Sequence, residues 1–371
     1  MKNFYFALSM VASVAIFAGD IDSRVSKLES TSAQTTTHSY ADNSIARLST
    51  AYPIVKDPYH LKLEIGAVYQ TIQVGSTEFA TEFNAGYLVP EPDTDDLSYP
   101  YSADILKPKS KMGWGINLAA SYAPFLEEYD LRLANKYFEN SSNSKTTTNS
   151  LSSFITGLNV NGYVIYDTWF DFTSSRLKAG YNLLGLELGR ATSWSKKFSV
   201  RPFVGLMSSW IWLDQHSTYS FSDDANSAYE HTKTNWFGIG PQAGLNGNFA
   251  LNKNFSIFLD TKGALMYGSF KDKHTSSSTE FLPTFFNYEI AKISDKKVVP
   301  YAEVILGGSY ECFDKQGKNH FKLRAGYDVQ FFISGNQSLI YELEDINENA
   351  FTRAKDDIST QGLILDLAWS F

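Results

Sequence analysis

The residues 359–371 alternate in a way that only an extended backbone can use. Leu363, Leu365, Leu367, Trp369 and Phe371 fall on one face. Gly362, Asp366, Ala368 and Ser370 fall on the other, with Ile364 the exception. A period of two belongs to a strand and not to a helix. In water, a row of Leu, Trp and Phe along a sheet edge would template aggregation. Where the outside of a closed sheet is lipid, the same row is what the solvent demands.

The pattern starts at Leu61 and recurs to the end. Leu61, Leu63, Ile65, Ala67 and Tyr69 oppose Lys62, Glu64, Gly66 and Gln70. Trp114, Ile116, Leu118, Ala120 and Tyr122 oppose Gly113, Gly115, Asn117 and Ser121. Leu131, Leu133 and Tyr137 mark a third strand, and 176–190 a fourth whose parity breaks near Leu183-Leu184, suggesting a bulge. Further strands follow at 198–213, 237–246, 255–265, 300–312 and 320–329. Pro241 inside one of them cannot donate to a ladder, which fits a bulge or a strained spot.

The connections order these strands. Short links at 124–130, 191–197, 250–254 and 313–319 alternate with long ones near 74–111, 140–175, 214–232, 271–297 and 334–358. Short periplasmic turns against longer external loops is the arrangement of a transmembrane antiparallel up-and-down β-barrel. Ten strands satisfy the even count, with 358–371 closing against 61–70. Twelve is the alternative, because Phe154 to Phe172 is apolar enough for another hairpin.

Ahead of the barrel, 1–18 reads as a signal peptide: Lys2, an apolar run from Phe4 to Phe17, and Ala18-Gly19 at the cut. Residues 19–59 read as a periplasmic lead with Ile21, Val25 and Leu28 on one short heptad, followed by a Ser/Thr-rich linker. Beyond the amino-terminus no run approaches the roughly 18 apolar residues of a membrane helix. The balance of 32 basic to 40 acidic groups argues against a nucleic-acid partner. Cys312, the single cysteine, allows no internal disulfide and reads as a small apolar residue.

Strand parity assigns ten charges to the face away from lipid: Lys62, Glu64, Glu187, Asp260, Lys262, Glu303, Glu311, Lys322, Arg324 and Asp328. At the lipid midplane each would cost roughly 2–4 kcal/mol. Inside, they either fill a narrow barrel as ion pairs or line a water path; ten or twelve strands lie between the filled and the channel-forming sizes. The acidic run Glu91-Pro-Asp-Thr-Asp-Asp96 in the first external loop reads as solvated surface, or as a vestibule preferring cations.

Catalytic signals are weak. His216 with Asp214, and His231 near Asp223 and Asp224, flank one external loop, but no spacing sets a base against a nucleophile. We expect no enzyme. No metal frame is legible either, since His216 and His231 lie fifteen residues apart without a matching carboxylate or cysteine pattern. No cofactor is expected; Gly113-Trp-Gly115 and Gly238-Ile-Gly240 sit inside strands with no helix after them.

The runs Asn182-Leu-Leu-Gly-Leu-Glu-Leu-Gly-Arg190, Arg201-Pro-Phe-Val-Gly-Leu206, Trp210-Ile-Trp-Leu-Asp-Gln215, Trp236-Phe-Gly-Ile-Gly-Pro-Gln-Ala-Gly244 and Gln361-Gly-Leu-Ile-Leu-Asp-Leu367 resemble the MOMP-like (major outer membrane protein-like) pore-forming family of Legionella and environmental chlamydiae. The likeness covers residues 60 to 371 in order. A closing strand that ends in Phe is likewise similar to Gram-negative outer-membrane barrels. The resemblance implies a cell outer membrane location and a narrow passive diffusion pore for small hydrophilic solutes or ions. The alternative is a non-conducting structural or adhesive barrel that meets a host or neighbour through its loops. Expected partners are outer-membrane lipid, the permeating solutes and a second copy of the chain. The chain lacks the many cysteines of chlamydial major porins, so no disulfide cross-linking is implied.

Overall fold

A computed structural model describes residues 61–84, 102–123, 129–147, 153–157, 171–220, 227–279, 287–313, 320–345 and 348–370. The expected signal peptide, lead, acidic run 91–96 and Phe371 lie outside these residues.

The strands are β1 Leu61–Val74, β2 Ala80–Asn84, β3 Ser102–Leu106, β4 Gly113–Tyr122, β5 Tyr129–Thr147, β6 Ser153–Gly157 and β7 Phe172–Arg190. They continue with β8 Thr192–Ser193, β9 Phe198–Ser220, β10 Ser227–Ala250, β11 Phe255–Thr279, β12 Asn287–Phe313, β13 His320–Asp345 and β14 Glu348–Ser370. Ten of them form an antiparallel ring in the order β1, β4, β5, β7, β9, β10, β11, β12, β13, β14. The ring closes because β14 pairs back on β1, from Lys62 opposite Ser370 to Val74 opposite Ile358. Closure leaves no sheet edge in lipid, the condition for crossing a bilayer with strands. Among the described residues no helix is long and apolar enough to cross a membrane, which says nothing against a barrel.

Outward positions carry the apolar band. On β10, Phe237, Ile239, Leu245 and Phe249 are exposed, and on β14 Leu363, Leu365, Leu367 and Trp369. Phe237 to Phe249 along a strand tilted about 40° spans about 30 Å, the thickness of a hydrocarbon layer. The strands run on past that band at the end opposite the short turns. β10 to β13 are 24, 25, 27 and 26 residues long, against roughly 9–11 for a membrane crossing.

Three expectations change. The connections 214–232, 271–297 and 334–358 are strand at both ends: β9 reaches Ser220 and β10 begins at Ser227, so Asp214, His216 and His231 sit in a paired hairpin and not in a loop. Above the bilayer the outward face is polar, and the alternation that announces a strand disappears. No bulge exists at Leu183-Leu184, since β7 keeps an unbroken register with both neighbours. Leu183 is an apolar residue on the inner face, where it joins the buried apolar cluster. The described part of 154–172 adds no wall hairpin; β6 pairs with β2, which also pairs with β3, in a separate small sheet.

Pro241 stands opposite Leu206 on β9, while the pairing to β11 lapses between Ile239–Tyr267 and Gln242–Ala264. The missing N–H therefore falls where the ladder is already open.

Candidate functional site: the filled lumen

Inward positions change chemistry along β1 and β9. Near the short turns they are charged or polar, and further along they are apolar. In β1 the series runs Lys62, Glu64, Gly66, Val68, Gln70, Ile72, Val74; in β9 it runs Arg201, Phe203, Gly205, Met207, Ser209, Ile211, Leu213. The lumen is thus divided into a charged chamber on the turn side and an apolar stopper beyond it.

All ten sequence-predicted charges face the interior. Eight of them (Lys62, Glu64, Glu187, Glu303, Glu311, Lys322, Arg324 and Asp328) are buried, and Asp260 and Lys262 half-buried. Lys62 pairs with Glu64 at 2.6 Å, and Glu64 also accepts from Arg132 at 2.9 Å. Arg132 reaches Glu187 at 3.4 Å, and Glu187 meets Arg201 at 3.1 Å. Arg201 spends its remaining donors on both oxygens of Asp130 and on Asn246. A second network joins Lys262 to Glu303 at 2.6 Å, Glu303 to Lys136, and Lys136 to Asp328 at 2.9 Å. Glu311 holds Lys322 at 2.8 Å and His320 at 3.4 Å. Arg324 pairs with Asp260 and lies 3.9 Å over the Phe258 ring. Asp366 accepts from Asn117 at 3.0 Å.

Sequence reasoning left out Asp130, Arg132, Lys136 and Arg201, although these carry the networks. Asp130 and Arg132 flank Leu131 and share the parity rule that found the other ten; the signal was present. With Asp366 added, the chamber sets seven cations (Lys62, Arg132, Lys136, Arg201, Lys262, Lys322, Arg324) against eight anions (Glu64, Asp130, Glu187, Asp260, Glu303, Glu311, Asp328, Asp366). Near-neutral pairing is what permits so many charges to be desolvated together. Two glycines make the room. A Cβ on Gly189 would collide with the Arg201 guanidinium, and one on Gly66 with an Asp366 carboxylate oxygen. What space remains is a cavity of about 60 Å³ lined by Asn117, Arg132, Lys136, Glu187, Lys262 and Glu303 among others, roomy enough for a few waters.

A belt of hydrogen-bonded groups separates the halves. Gln70 and Gln330 both donate to the Tyr181 hydroxyl, and Gln330 also reaches Asp328. Beyond Tyr181, the stopper includes Phe138, Trp236, Met266, Phe270, Val299 and Phe332, each 0–1% exposed. Tyr181 and Tyr301 lie 5.7 and 4.9 Å from the Phe332 ring.

The chain itself closes the outer mouth. After β1 it turns at Ser76, whose φ is 54°, and runs inward. The Thr77 carbonyl accepts from Gln215, and the Phe79 carbonyl accepts from the Tyr219 hydroxyl. Phe79 is 1% exposed and packs with Ala80, Tyr219, Ala228 and Leu106. Tyr219 also donates to Glu230 at 3.3 Å. Glu230 and His274 lie in this mouth, above the lipid band. Burial pushes the Glu230 carboxyl up to about 7 and the His274 imidazole down to about 4. At 3.6 Å they meet the distance test for an ion pair. Burial opposes charge on both, so we read the contact as a neutral one.

The fold is similar to outer-membrane proteins of known structure. The outer membrane protease OmpT from Escherichia coli aligns at 12% identity over 85% of this chain and 97% of that chain, with a TM-score of 0.41. The translocator domain of the autotransporter NalP from Neisseria meningitidis aligns at 8% identity over 97% and 98%, with a TM-score of 0.31. A major outer membrane protein from Thermus thermophilus aligns at 12% identity over 85% and 100%, with a TM-score of 0.26. No curated protein matches the chain by sequence. A family model described as Legionella pneumophila major outer membrane protein precursor matches residues 57–371. The chain belongs to that family, and its place is the outer membrane.

Proposed function

We propose that this outer-membrane barrel is a narrow pore for small hydrophilic solutes or ions, and that it is shut in the conformation described here. The observation that carries the reading is the division of the lumen. A barrel needing only to be filled would be as stable, or more so, with apolar side chains in place of buried ion pairs. The turn-side half instead keeps fifteen charged groups around a polar cavity. Family membership supports the same reading. The apolar stopper is the barrier, since a dry constriction blocks ions without a covalent plug.

Planar-bilayer recording tests this. The purified protein should give small, infrequent channel steps. Trp236→Ala and Phe332→Ala, which shorten the stopper, should raise step size or open time. Near-balanced chamber charge predicts weak ion selectivity.

A second reading is favoured by the completeness of the stopper. A lumen crossed by Phe138, Trp236, Phe270 and Phe332, with the segment 75–80 across its mouth, suits a non-conducting barrel that works through its outer strands and loops. Silence in the bilayer from the wild type and from both variants would sink the pore and leave this reading.

A further inference from the structure

The β9–β10 hairpin brings together three side chains that the sequence separates. Asp214 and His216 lie two apart on β9 and so share its outward face, and His231 on β10 stands directly opposite His216. The His216 Nε2 is 3.0 Å from Asp214 Oδ1, and the His231 Nε2 is 2.9 Å from the same oxygen. The two imidazoles stack with centroids 3.8 Å apart and planes 17° from parallel. One donor atom from each residue lies within 4.8 Å of the others. The cluster sits above the lipid band, beyond Trp212 and Asn235, on the outside of the barrel wall, with His216 more than half exposed.

We propose that Asp214, His216 and His231 form a transition-metal site on the outer wall of the barrel, taking Zn²⁺ or a similar borderline ion. Two imidazoles and one carboxylate are a three-ligand set with an open fourth position. A small rotation of the rings would bring the Nε2 atoms to the roughly 2.0–2.1 Å that zinc requires. The hairpin is held by continuous antiparallel pairing from Ser220–Ser227 down to Phe198–Phe249, so the ligand backbones are already in place. Without an ion, both rings donate Nε2–H to Asp214. With one, the protons move to Nδ1 and the freed lone pairs bind the metal, so the step needs no other reactant.

The surroundings select the ion. Arg176 lies across from His216, and Lys178 and Lys233 flank Asp214. Lys178 is drawn off to Glu139 at 3.1 Å. A hard cation such as Ca²⁺ or Mg²⁺ wants several oxygens and finds one carboxylate among cations. Neutral imidazole favours zinc, copper or nickel. The same cations leave the open position facing a positive rim, which would admit an anionic fourth ligand.

The site is tested by calorimetric titration of tag-free, folded protein in detergent with Zn²⁺, and by Co²⁺ absorption for coordination geometry. One equivalent should bind. Asp214→Ala, His216→Ala and His231→Ala should each weaken it at least tenfold, His60→Ala should not, and Mg²⁺ in excess should not compete. Binding should fall on acidification, because only neutral imidazole ligates. Migration of the unheated barrel on gels confirms that each variant is folded. Absent binding, or binding that all three variants retain, overturns the proposal.

Discussion

On the turn side of Tyr181 the barrel interior is built from Arg201, Lys136, Glu303 and their partners; on the far side it is built from Trp236, Phe270, Met266 and Phe332. Both halves are closely packed, yet they are held by opposite means. The charged half depends on partners, because each desolvated charge is tolerable only while its counter-charge is present. The apolar half depends on volume, because its cost is set by the cavity that a deletion leaves. A mutation in the first should therefore spread through a network, and one in the second should stay local.

The largest effect is expected at Arg201, which is 1% exposed and serves Asp130, Glu187 and Asn246 at once. Arg201→Met should cost about 3–5 kcal/mol, the penalty of orphaning buried carboxylates, read as a lowered urea midpoint of the folded barrel. Removing Asp130 and Glu187 as well should recover part of the loss. If the triple variant is no better than the single one, the network account fails. Met266→Ala, in the stopper, should cost roughly 2–5 kcal/mol by the same measurement. No second substitution in the chamber should rescue it.

The mouth is expected to respond to pH, and the sign follows from the two groups there. Glu230 is raised to about 7 in the fold. Its contribution is complete below the ordinary Glu range near 4.5 and is lost as pH climbs through about 7. His274 is lowered to about 4. Its contribution is complete above the ordinary His range near 6.5 and is lost as pH falls through about 4. Protection of the Phe79 amide, which donates to the Leu106 carbonyl, should be greatest between these limits once the intrinsic pH dependence of exchange is divided out. Glu230→Gln should abolish the loss of protection on the alkaline side while leaving the acid one; a loss that persists would place its cause elsewhere. The smallest effect belongs to the outer wall. Lys178 and Glu139 pair at 3.1 Å with side chains 46% and 34% exposed, so Lys178→Ala should cost under about 1 kcal/mol.

The barrel was legible because lipid is an unforgiving solvent. Every outward position from Phe237 to Phe249 had to be apolar or small, and the alternation with Gly238, Gln242 and Asn246 gave strand, face and order without any fold in hand. Legibility ended where that solvent ends. Above the bilayer, Asp214 to Ser220 and Ser227 to Asn235 alternate nothing, so a paired hairpin read as a loop, and with it went the cluster at Asp214, His216 and His231. The Leu183-Leu184 step read as a bulge for the complementary reason: it assumed a polar residue at every inward position, and Leu183 is an apolar residue that faces inward in an unbroken register.

By itself, then, the sequence determined an antiparallel barrel, its lipid face and its inward charges, because each of these follows from local period two and the chemistry of the surrounding solvent. Its outer-membrane family came from the resemblance of particular runs, and the choice of ten strands over twelve came from the closed ring. Only the tertiary structure decided which charges meet, that Arg201 and Lys136 are the centres of their networks, that the chain after β1 folds into its own mouth, and that His231 faces His216 across a hairpin. Those contacts join residues far apart in the chain: Lys136 and Asp328 are separated by 192 positions and Asn117 and Asp366 by 249. They depend on the stagger and closure of the whole ring, which no single stretch of the chain encodes.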